Sequence, residues 1–170
     1  MRLLGSFLLF IAVTLLLRST ALTALASRGV VLDVLAFATV VWALRSGESW
    51  GTCFGFALGL AADLDAAHWL GRHALVLALL GYVIGRGSHS LVRESSRTQL
   101  VVLFLATLAH GAWVAAFDFG GFSAWLPLLR RVVIAAATTA PVGMITLFLL
   151  RRISGAPLFG HANLQSSSTA

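Results

Sequence analysis

GESWGTCFGFALGLAAD, running from Gly47 to Asp63, is the stretch whose reading decides the fold. Its glycines fall at Gly47, Gly51, Gly55 and Gly59, and the next step of four lands on Asp63. On a helix of about 3.6 residues per turn such a step drifts by only about 40°, so these positions share one face. Phe54, Phe56, Leu58 and Leu60 stand between them and suit lipid or an apolar interior. In water, four mid-helix glycines would cost about 1 kcal/mol each relative to alanine. Inside a bilayer, small residues at every fourth position let two helix backbones approach where no hydrophobic force acts between them. The stretch therefore predicts a membrane helix with a bare ridge for a second helix to cover, and a carboxylate at its end. Gly81 and Gly85 repeat the spacing further on and are a further packing pair.

The whole chain supports that environment. Of 170 residues, 59% are hydrophobic and 11% charged, and the mean hydropathy is +0.94. Soluble domains carry about a quarter charged residues. The single cysteine, Cys53, excludes an internal disulfide and is expected to be a small buried residue. The net charge of +6 comes from arginines placed singly or in pairs at the ends of apolar runs. That is the pattern of membrane flanks and not of a clustered nucleic-acid-binding face.

Working outward, the apolar runs predict an all-α integral membrane protein, a bundle of about six transmembrane helices. Residues 1–153 form one polytopic domain, and 154–170 form a disordered cytoplasmic tail. The first run, Leu3 to Leu17, continues past Arg18 to Leu25 and is expected to be an uncleaved span, not a leader. Val30 to Leu44, Trp50 to Ala62, His73 to Ile84, Leu100 to Phe117 and Arg131 to Leu150 follow, with Pro141 expected to kink the last. Arg86 to Gln99 is expected to be a solvated loop, and Trp125 to Leu129 a short interfacial helix. With both termini cytoplasmic, seven arginines fall inside and five outside, while all four aspartates fall outside. This is the sense of the positive-inside rule.

Asp33, Asp63, Arg72 and His73 are thereby placed together as a polar outer pocket. Asp33 opens a helix, where the dipole favours an anion. Asp63 closes one, where the dipole opposes it, so a cation or a donated N–H must compensate; Arg72, Arg28 and Arg18 are the cations on that side. Asp63, Asp65, His68 and His73 match no metal-binding motif, so no metal and no cofactor is expected. His110 is deep within a span, and a hydrogen bond to a neighbouring helix is a simpler role for it than proton relay. Nothing resembles a catalytic triad or a phosphate-binding loop, and no enzyme is expected.

The middle of the chain resembles a known family. Gly55-Phe56, Gly59, Asp63-Leu64, Leu70-Gly71, Gly81-Tyr82, Leu91, Arg93 and Gln99 are similar in kind and spacing to bacterial rod shape-determining proteins of the MreD family, over roughly Val30 to Phe117. The Arg151-Arg152 ending agrees. Leu32 stands where the family usually has proline, Asp65 where an apolar residue is common, and Ala135 to Ala137 where an asparagine is frequent. The resemblance implies a non-catalytic, multi-pass scaffold of the bacterial inner (cytoplasmic) membrane. It further implies binding to MreC, membership of the elongation complex with MreB and the peptidoglycan synthases, and support of rod shape. It implies a fold similar to the membrane substrate-binding subunits of energy-coupling-factor transporters. A small-molecule-binding subunit of an uptake transporter is the alternative. Such subunits often dock their transport module through small residues on the first span, where this chain has Leu9, Val13 and Leu17.

Overall fold

A computed structural model describes residues 2–26, 32–66, 70–93, 96–118 and 125–154. The described residues form helices α1 (Arg2–Ala26), α2 (Val34–Ala66), α3 (Arg72–Arg93), α4 (Ser96–Asp118) and α5 (Trp125–Ser154). The expected tail lies outside them, apart from Ser154. Thr98–Phe117 is apolar and long enough to cross a membrane unaided, and Leu4–Thr20 is a shorter apolar helix.

The second helix is a hairpin. At Gly47 the backbone leaves helical geometry with φ 79° and ψ −171°. In a continuous helix Trp42 and Phe54 would stand about 18 Å apart at 1.5 Å per residue. Instead their rings stack with centroids 4.9 Å apart, and the face of Gly51 lies against Ala43. The limbs 34–46 and 48–66 therefore run antiparallel, which brings Asp33 and Asp63 to the same end. Gly47 is thus the bend itself, with nothing near its own face, and not the first step of the ridge. Its conformation is one only glycine adopts without strain, costing other residues about 1–3 kcal/mol. Gly47→Ala is expected to lose that much stability, read as a lower thermal midpoint, although there is room for the methyl. An unchanged midpoint would show that the bend is not built as described.

Three faces of the second limb explain its sequence. Gly51, Gly55 and Gly59 face α3, while Phe54, Leu58 and Ala62 are buried with Leu35, Ala38 and Trp42 of the first limb and Val76 and Leu77 of α3. Phe7, Phe10, Ile11 and Leu15 of α1 pack on that core, with Phe7 edge-on to Trp42 and to Phe54. Phe56, Leu60 and Leu64 are exposed. Cys53 is exposed too, contrary to expectation, because it lies about 200° around the helix from Gly51. A second core joins Val40, Ala43 and Leu44 to Ile84, Leu103 and Ala106.

Two boundaries differ from expectation. Helix continues through most of Arg86 to Gln99, since α3 reaches Arg93 and α4 starts at Ser96. Trp125 to Leu129 is the first part of a single helix that continues through Pro141. Every helix shows large apolar side chains outward, among them Leu8, Phe56, Leu75, Leu105 and Ile145. An exterior so apolar on all sides is matched to lipid and not to water.

Candidate functional site

The glycine ridge is filled from within the chain. A β-carbon added at Gly55 would stand 2.5 Å from the backbone carbonyl carbon of Leu77, and one at Gly59 2.5 Å from the Cα of Ala74. Gly51 faces the carbonyl of Gly81, and Gly85 faces Gly47 and Glu48. Glycine therefore meets backbone on both helices, the close approach that membrane helix pairs use in place of hydrophobic force.

At one end of this pair the ionisable groups gather. Asp63 is fully buried. Its carboxylate accepts the N–H groups of Gly71 (2.9 Å), His73 (3.1 Å) and Ala74 (3.1 Å), and lies 2.7 Å from His73 Nδ1. The reason lies in Gly71, the residue that caps α3, where φ is 97° and there is no side chain to accept the first free N–H groups. Asp63 supplies that cap from another helix. The compensation that the end of α2 demands is thus the positive end of α3, together with His73.

Asp33 caps its own helix, accepting the Ala36 N–H at 3.0 Å. Its other oxygen lies 2.5 Å from His110 Nδ1 on α4, and its N–H donates to the Thr139 hydroxyl on α5 at 2.9 Å. His110 is thus hydrogen-bonded to a neighbouring helix, and its partner is a carboxylate. Trp113 Nε1 donates to the Arg72 carbonyl at 3.1 Å, and Arg18 reaches the Ala62 carbonyl at 3.5 Å. All five helices contribute to this polar end.

The structure places Asp33, Asp63 and His73 here with Arg72, whose backbone joins through its carbonyl. Sequence reasoning left His110 and Thr139 out of the pocket. No local pattern relates Asp33 to residues 77 and 106 positions away; the one signal was two polar side chains inside apolar spans. Arg28 and His68 lie outside the described residues, and Asp65 is exposed. Among the described residues no three or more of His, Cys, Asp and Glu converge on a possible metal. What the arrangement does chemically is satisfy helix ends and join one helix to another.

An all-helical membrane protein, with its polar groups spent on joining helix to helix, is the class that this fold and site define. A family model, rod shape-determining protein MreD, matches residues 1–150. The chain belongs to the MreD family, whose role is the determination of rod shape. No curated protein and no solved structure matches it.

Proposed function

We propose that this protein is a non-catalytic scaffold of the cell-elongation machinery in the inner membrane. It crosses the bilayer six times, the α2 hairpin supplying two crossings, with both termini cytoplasmic. It binds MreC and through it supports peptidoglycan synthesis alongside MreB. One observation carries this reading: the two buried carboxylates, Asp33 and Asp63, each accept backbone N–H groups at a helix start. Asp63 alone accepts three backbone N–H groups. A group so engaged holds shape and has little capacity left for substrate.

The occupied ridge restricts how MreC binds. Because α3 covers Gly51, Gly55 and Gly59, the MreC span docks on the apolar exterior, against side chains and not on bare backbone. Tagged full-length protein, extracted from native membranes in mild detergent, is expected to retain MreC. Recovery of a transporter's energising module in place of MreC would overturn the scaffold reading.

A further inference from the structure

The outward face of α5 carries a backbone acceptor that a proline leaves without its usual donor. α5 packs mainly against α4, with Ala136, Thr139, Ala140 and Gly143 buried and Gly143 facing Leu103 and Phe37. The opposite face is open. Ile134 and Ile145 at its centre are 41% and 60% exposed, and Ala137 and Pro141 between them are exposed as well. Pro141 has no N–H, so the Ala137 carbonyl receives no bond from the residue four positions on. The hydroxyls of Thr138 and Thr146 go instead to the carbonyls of Ile134, Ala135 and Val142.

This acceptor lies at a depth where only protein offers a donor. Pro141 stands ten residues from Arg131 and ten from Arg151. At 1.5 Å per residue that is about 15 Å either way, the midplane of a hydrocarbon core about 30 Å thick. Headgroups and bulk water do not reach it, and acyl chains have no N–H or O–H to give. Carbonyls freed by proline at such depth are met by polar side chains on a neighbouring helix. Among the described residues, the helices beside α5 are α4 and α2, and both lie on its buried side.

We propose that two copies of the chain pair through this face, the Thr138 hydroxyl of each donating to the Ala137 carbonyl of the other. The face is complementary to itself. At about 100° per residue, Pro141 stands about 30° to one side of the line through Ile134 and Ile145, and Thr138 about 30° to the other. Copies inserted in the same sense are related by a two-fold axis along the membrane normal. That axis sets the Thr138 side of one helix against the Pro141 side of the other, twice over and at one depth. In the single chain the Thr138 hydroxyl bonds its own helix, at 2.9 Å to Ile134 and 3.1 Å to Ala135. A turn about χ1, to the second position that threonine adopts in helices, redirects it. Ala137 brings only a methyl group to the contact, which lets the backbones approach. The pairing is separate from MreC binding and does not depend on it.

Oxidative cross-linking of the full-length chain in native membranes tests the pairing. Cys53→Ser removes the native thiol, and Ile145→Cys or, separately, Ile134→Cys places one at the centre of the face. Both side chains point outward, so neither change disturbs the core. Each is expected to give a product of twice the chain mass, and Leu105→Cys, on an exposed side of α4, to give little. Pro141→Ala returns the N–H to the helix, and Thr138→Val removes the donor. Each should cut the product by about fivefold or more, while Thr138→Ser keeps the hydroxyl and the product. No doubled product from either cysteine, an equal yield from Leu105→Cys, or a full yield with Pro141→Ala and Thr138→Val would each overturn the proposal. So would cross-linking to a different protein in place of a second copy. Were that protein MreC, the scaffold reading would stand and the pairing would fall.

Discussion

Gly55→Leu is expected to lower the thermal midpoint of the protein sharply. The new side chain would begin 2.5 Å from the Leu77 carbonyl carbon, and the obstacle is helix backbone, which cannot rotate away as a side chain can. Overpacking a tight contact costs about 1–3 kcal/mol and sometimes more. Here the helices must separate along the whole ridge, so the upper end of that range applies, a large share of a typical stability of about 5–15 kcal/mol. The thermal midpoint in detergent is the measurement. Gly55→Ala should fall part of the way, and Phe56→Ala, on the lipid-facing side, should stay near the unaltered value. A normal midpoint for Gly55→Leu would mean that α3 does not lie on the ridge.

Asp63→Ala carries the second large effect. It leaves three N–H groups at the start of α3 without their acceptor and His73 without its carboxylate. Each buried donor left unmade costs about 1–3 kcal/mol, although water entering at the helix end recovers part of it. The net loss should be about 3–5 kcal/mol, as for breaking a buried pair. Asp63→Asn keeps one acceptor oxygen and should lose less. Hydrogen exchange supplies the local reading: the amides of Gly71, His73 and Ala74 should exchange much faster in Asp63→Ala. Equal exchange at those three amides would show that the carboxylate is not their cap.

Much of this was legible in the sequence, for identifiable reasons. Glycines four apart can share only one helix face, so Gly51, Gly55 and Gly59 declared a close contact before the partner was known. That the partner is α3 of the same chain was not legible, since a second chain would need the same ridge. Gly47 shared the spacing yet serves the hairpin bend, and spacing says nothing of φ. The need of Asp63 for a donor followed from its place at a helix end. The donor could not be named, because it is the backbone of α3 and backbone leaves no mark in sequence. The Asp33–His110–Thr139 group was hidden for another reason: its members are far apart in the chain and meet only once the bundle is assembled.

The fold described here requires α3 to lie in the glycine groove in the assembled membrane complex. A through-space 13C–13C correlation measures this without changing a residue. The full chain would carry 13C at glycine Cα and leucine carbonyl carbons, in lipid with MreC bound. A cross-peak between Gly55 Cα and the Leu77 carbonyl carbon is expected, undiminished by MreC. Loss of that peak on adding MreC, with new contacts from Gly55 to the MreC span, would contradict it.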